Sequence, residues 1–180
     1  MSTIRETLLF FKSKKILGFL SFIESIFFPI PTDVLLIPMV ISKSYNWANL
    51  AFITTLTSVL GGIVGYLLGS FLFIEIYPYI NSYGYTDKFE VAKEYFIEYG
   101  VLILFISSFT PLPYKIFVIT AGFLSINFAL FVIISFIGRG LRFYLVAYVS
   151  DRYGSHMVDY INRYFLYIAA IVIFIFVILV

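Results

Sequence analysis

Two Pro-x-Pro breaks inside apolar stretches constrain this chain more than any other feature: Pro29 and Pro31 interrupt residues 22–40, and Pro111 and Pro113 interrupt residues 105–122. Proline lacks a backbone donor, clashes with the preceding turn and drives the residue before it out of the helical region, so neither stretch forms one straight helix. The limbs on either side are short. About 13 residues at roughly 1.5 Å of rise cover about 20 Å, against a hydrocarbon core of about 30 Å. A limb of that length enters a bilayer, stops near its middle and returns on the same side, which predicts a re-entrant helical hairpin at each break.

The membrane in that argument comes from composition. Of 180 residues, 62% are hydrophobic and 12% charged, whereas a soluble domain is nearer half apolar and a quarter charged. The expected class is an all-α, polytopic, integral membrane protein. A net charge of +2 gives no reason to expect nucleic acid or a charged protein partner. With no cysteine and the single His156, disulfides, thiolate catalysis and Cys- or His-rich metal sites are not expected, and no cofactor is implied. Arg5, Lys12, Lys14 and Lys15 before the apolar run 16–28 imitate a signal peptide. No small-x-small cleavage site follows, so the run is expected to be retained.

In chain order, residues 1–180 read as one membrane domain. It has an interfacial helix (1–15), a first hairpin (16–44), a crossing (46–74), a tyrosine-rich interfacial segment (75–99), a second hairpin (100–125) and crossings at 127–150 and 163–180. Gly61, Gly62, Gly65 and Gly69 share one helical face, which favours close approach of another backbone. Pairing Pro29 with Pro111 and Pro31 with Pro113 sets Asp33 opposite Lys115, and a full crossing follows each unit. One crossing separates the hairpins, so they enter from opposite faces as an inverted repeat, whose midplane interface is where such transporters bind substrate. Positive-inside counting favours a cytoplasmic N-terminus.

A break at membrane depth frees N–H and C=O groups, which calls for a protein-enclosed polar cavity. Around the breaks stand Glu24, Thr32 and Asp33 in the first unit and Ser107, Ser108, Thr110 and Lys115 in the second, with Arg139 and Arg142 near the middle of the 127–150 crossing. Ionisable residues inside apolar segments are costly and by default mark an ion or substrate path. Thr32 or Asp33 is placed to cap the second limb, whose free N–H groups attract an anion. Protonation of Asp33 would open that site, making Glu24 and Asp33 candidates for proton coupling; the plainer alternative is that Asp33 only caps and Glu24 pairs with an arginine. Lys115, Arg139 and Arg142 suit a phosphate or carboxylate. Alternatively, Arg139 and Arg142 pair with Glu24 and Asp33, leaving one positive charge. Nothing favours hydrolysis or another enzymatic step. Ser107, Ser108 and Thr110 have no neighbouring base and are expected to satisfy freed backbone groups, and Gly61-Gly62-x-x-Gly65 lacks the lysine of a phosphate loop.

At these residues the chain resembles the DedA family, also called VTT or SNARE-associated, and is most similar to its short YqaA-like branch. The resemblance lies in Glu24-Ser-Ile-Phe-Phe-Pro29-Ile-Pro31-Thr-Asp33, in Phe109-Thr-Pro111-Leu-Pro113-Tyr-Lys115 running to Ala121-Gly122, and in Gly138-Arg139-Gly140-x-Arg142-Phe143. Many members carry Arg-x-x-Pro-x-x-Arg in the second hairpin. Here Ser108 stands at the first arginine, Tyr114 at or beside the second, and Lys115 is the nearest base. The resemblance implies a bacterial-type cytoplasmic membrane and movement of polyprenyl phosphate or phospholipid between leaflets. The expected function is therefore a flippase or scramblase for a lipid with an anionic headgroup, helped by protons. The alternatives are a proton-coupled antiporter of a small cation or drug and a non-catalytic membrane scaffold.

Overall fold

The computed structural model describes residues 13–28, 30–84, 86–110, 114–154, 163, 164 and 167. Pro29, Pro111 and Pro113 lie outside these, as do residues 1–12 of the expected interfacial helix, His156 and nearly all of the expected crossing 163–180. The described residues form six helices and no strand: α1 (Lys14–Ile26), α2 (Asp33–Ile41), α3 (Trp47–Ser82), α4 (Thr86–Phe109), α5 (Tyr114–Phe123) and α6 (Phe128–Tyr153).

Both Pro-x-Pro stretches interrupt a helix, one between Ile26 and Asp33 and the other between Phe109 and Tyr114. Isolated prolines do not have that effect. Pro38 sits within α2 and Pro78 within α3, each removing one ladder bond that the helix tolerates, whereas two prolines in three residues deny consecutive turns their bonds. Because α3 passes through Pro78, it reaches Ser82 instead of ending near residue 74. The 75–99 segment is thus helical and divided between α3 and α4, with the turn at Tyr83 and Gly84, where Gly84 has φ +70°. Helices α3 and α6 are long and apolar enough to cross a membrane.

The two broken units end alike. After α2, Lys43 takes φ +53° and Asn46 caps α3 by accepting the N–H groups of Ala48 and Asn49. After α5, Ser125 takes φ +55° and Asn127 caps α6 by accepting the Leu130 N–H. A left-handed residue followed by an Asn cap turns each broken helix into the long helix behind it.

Helix α3 is the post against which both units pack, and its glycines set the distance. A Cβ on Gly61 would stand 2.2 Å from the Phe22 carbonyl oxygen of α1, and one on Gly69 2.0 Å from the Ile119 carbonyl oxygen of α5. Gly122 meets the Tyr66 backbone from the α5 side in the same way. Lipid is as apolar as a leucine side chain, so contacts this close, with hydrogen bonds, supply the association that hydrophobic burial supplies in water. Two apolar cores flank the post. One gathers Leu17 of α1, Met39 and Val40 of α2 and Phe143 of α6; the other gathers Leu104, Tyr114, Val118 and Phe131 from α4, α5 and α6.

Candidate functional site

Helix α6 brings Arg139 and Arg142 to the first break. A three-residue spacing sets both on one face, and that face also carries Ser135 and Gly138, all buried. Glycine at position 138 lets α6 come close to α4, since a Cβ there would stand 2.5 Å from Ser108 Cβ. The arginines therefore sit at the height of both interruptions.

Arg139 is held on every side. Its Nη2 donates to Glu24 Oε2 at 3.1 Å and its Nε to Ser58 Oγ at 2.6 Å, with Ser25 Oγ at 3.4 Å from Nη2. Its guanidinium lies over the Tyr114 ring at 4.8 Å and the Phe143 ring at 4.7 Å, a stacking that suits a planar, weakly hydrated cation. Glu24 Oε2 also accepts from Thr32 Oγ1 at 2.6 Å, which ties the end of α1 to the start of α2. Beneath the pair, Ser25 and Ser58 hydroxyls lie 2.7 Å apart and Ser21 donates to the Thr54 carbonyl, so α1 is stitched to α3 by hydroxyls.

Arg142 is held less completely. Its Nη2 donates to Asp33 Oδ2 at 2.6 Å. Its Nε and the other oxygen of Asp33, Oδ1, are both buried without a partner among the described residues. A buried ionised group left partly unsatisfied costs more than a neutral one. Two acids and two bases make this interior electrically neutral, the second of the two arrangements weighed from the sequence.

The expected cap at the start of α2 is absent. Neither Thr32 nor Asp33 turns its side chain onto the helix end; Thr32 serves Glu24 and Asp33 serves Arg142. The N–H groups of Val34, Leu35 and Leu36 are already bonded to the Pro31 and Thr32 carbonyls, so this helix end does not offer an anion the row of free donors that local sequence suggests.

Lys115 stands apart from the acid–arginine pairs. From the first turn of α5 its ammonium donates to the Phe27 and Phe28 carbonyls, each at 3.3 Å. These are carbonyls freed at the C-terminal end of α1, the negative end of its dipole. At the second break, Ser107 and Thr110 hydroxyls donate to the Leu104 and Ile106 carbonyls inside α4, the latter already bonded to the Thr110 N–H, and not to carbonyls freed by the prolines as expected; buried Ser108 Oγ has no partner among the described residues. The sequence reading missed Ser21, Ser25, Thr54 and Ser58. Their signal was available: Ser21 with Ser25, and Thr54 with Ser58, each four apart inside apolar helices.

Of the five ionisable residues proposed from sequence, four thus meet in two ion pairs and Lys115 reaches the same break from the other unit. Among the described residues, no group of acids and histidines is arranged to hold a metal ion.

A family model described as the VTT domain matches residues 30–152. An uncharacterized protein of Haemophilus influenzae is 44% identical over 131 residues, covering 73% of this chain and 68% of that protein. A homologue from Histophilus somni is 40% identical over 134 residues, covering 74% and 70%. An uncharacterized protein of the archaeon Methanocaldococcus jannaschii is 26% identical over 125 residues, covering 67% and 73%. No solved structure matches.

Proposed function

Because the chain belongs to the VTT-domain family, also called DedA, and is thus a membrane protein of a transport-related family, we propose that it carries a lipid with an anionic headgroup between the two leaflets. As a carrier it makes and breaks no covalent bond. In this reading the broken units are re-entrant hairpins of opposite direction, and the membrane is a bacterial-type cytoplasmic membrane. Support for the hairpin comes from the first apolar core, where Leu17 at the start of α1 joins Met39 and Val40 at the end of α2. Support for the repeat comes from the matched left-handed residue and Asn cap after each unit.

One observation carries the functional reading. Arg142 Nε and Asp33 Oδ1 are buried polar atoms without a partner among the described residues, next to a second pair, Arg139 with Glu24, whose bonds are more complete. A structural ion pair closes its bonds, because each one left open costs free energy. Here one donor and one acceptor remain for a visitor: the arginine N–H for a phosphate oxygen and the carboxylate for a proton. Proton uptake on Asp33 would weaken its hold on Arg142 as the phosphate arrives, which links lipid movement to a proton gradient.

The test is leaflet transfer of a fluorescent phosphatidylglycerol in vesicles containing the purified protein, with and without a pH gradient. Transfer is expected to exceed that of empty vesicles, to respond to the gradient, and to fall at least tenfold in Arg142→Gln and Asp33→Asn. A folded Arg142→Gln protein that transfers at the wild-type rate would refute the role of this site. Antiport of a small cation in exchange for protons draws on the same Asp33 Oδ1; it requires activity to survive the loss of both arginines.

A further inference from the structure

The charges of this interior differ in how a headgroup would reach them. Arg139 and Arg142 side chains are 3% and 8% exposed, and both are committed to carboxylates. A headgroup approaching from the surface does not meet them first. Lys115 is only half-buried, and it lies beside Phe27, a side chain 68% exposed.

Lys115 also has no acidic partner among the described residues. Glu24 and Asp33 are taken by arginines, and the lysine rests on two carbonyl oxygens at 3.3 Å. Those contacts lie at the long edge of hydrogen-bond range, where a charge-assisted bond is normally about 2.7–2.9 Å. An ammonium also has three donors, and these bonds account for two. A phosphate oxygen offers shorter, charge-assisted bonds than a carbonyl does, so it can take the lysine from its resting place. The resting place matters as well, because the lysine belongs to α5 and the carbonyls to the end of α1. Whatever removes Lys115 breaks this direct tie between one broken unit and the other.

We propose that Lys115 selects the headgroup: it rests on the Phe27 and Phe28 carbonyls until a phosphodiester headgroup of net negative charge takes it from them, breaking that tie between the two broken units. This rests on the lipid-moving reading given above and adds a selectivity to it. With the four other ionisable groups cancelling, the one positive charge left is balanced by a headgroup with one net negative charge. A zwitterionic headgroup brings its own cation to the same place and loses that advantage.

Vesicles of one matrix composition carrying trace fluorescent phosphatidylglycerol or phosphatidylcholine measure the selectivity directly. Wild-type protein is expected to move phosphatidylglycerol at least fivefold faster. In Lys115→Met the ratio falls to about one through loss of the phosphatidylglycerol rate, and in Lys115→Arg it is kept. A Lys115→Met protein that retains the wild-type ratio overturns the proposal. Thermal stability in detergent gives a readout independent of transfer: phosphatidylglycerol should raise the wild-type midpoint more than phosphatidylcholine does, and that difference should vanish in Lys115→Met. If wild-type protein moves neither lipid, the lipid-moving reading fails, while selective stabilisation that Lys115→Met abolishes still upholds the lysine site. Equal stabilisation by both lipids overturns it. Stabilisation by inorganic phosphate alone, matching that by phosphatidylglycerol, overturns the assignment to a lipid headgroup.

Discussion

The two broken units share a backbone plan and differ in chemistry. Each is an interrupted helix that packs on the glycine face of α3 and leads through a left-handed residue and an Asn cap into a long helix. At the first interruption stand two carboxylates, each paired with an arginine. The second has hydroxyls and one lysine, and the lysine reaches back to the first. Both arginines come from α6, the helix that follows the second unit. A duplicated plan can thus concentrate its charge at one break, with the second half of the chain supplying the cations and the first half the anions. Neither unit satisfies its own charges, and that binds the halves together more specifically than apolar packing in lipid does.

The sharpest way to break the comparison is to unbalance the first break. Arg142→Gln strands Asp33 in the interior and should cost about 3–5 kcal/mol of stability, read as a large drop in the thermal midpoint in detergent. Adding Asp33→Asn removes the stranded charge and should restore much of that loss. If the double variant is no more stable than the single, the pair is not the electrostatic unit described here.

Next in size are changes at the shared post. Gly61→Ala pushes a methyl into the Phe22 carbonyl on the first unit, and Gly69→Ala pushes one into the Ile119 carbonyl on the second. Each should cost about 1–3 kcal/mol, the usual range for overpacking a tight contact. The same melting experiment compares them. Similar losses mean that α3 supports both units equally, whereas a loss confined to one would show that only that unit depends on close backbone contact.

The smallest effect is expected at the second break. Ser108 Oγ is buried without a partner among the described residues, and Ser108→Ala keeps the Cβ that meets Gly138. Removing an unsatisfied hydroxyl is close to neutral, within about 1 kcal/mol and towards higher stability. A marked destabilisation would mean that this hydroxyl carries a bond that the second break depends on.

Much of this arrangement was legible in the chain, and the illegible part has a common cause. The interruptions between Ile26 and Asp33 and between Phe109 and Tyr114 and the membrane character could be read because proline sterics and composition act between neighbours in sequence, and the family could be read from the resemblance of its motifs. The crossing expected to end at residue 74 instead runs on through Pro78 to Ser82, because a lone proline does not end this apolar helix. The local cap expected of Thr32 and Asp33 failed for a different reason. A side chain that can cap its own helix can also serve a charge brought from elsewhere, and in a dry interior an arginine or a carboxylate is the more demanding partner.

The sequence by itself determined where the paired prolines interrupt the helices, which side chains carry charge and that the chain belongs in a membrane, since each follows from residues acting on their neighbours. Only the tertiary structure decided that Glu24 meets Arg139 across 115 positions, that Asp33 meets Arg142 across 109, and that Lys115 holds the opposite unit. Those choices depend on how closely α6 and α3 approach the broken helices, a distance set by glycines whose effect appears only when another backbone lies against them.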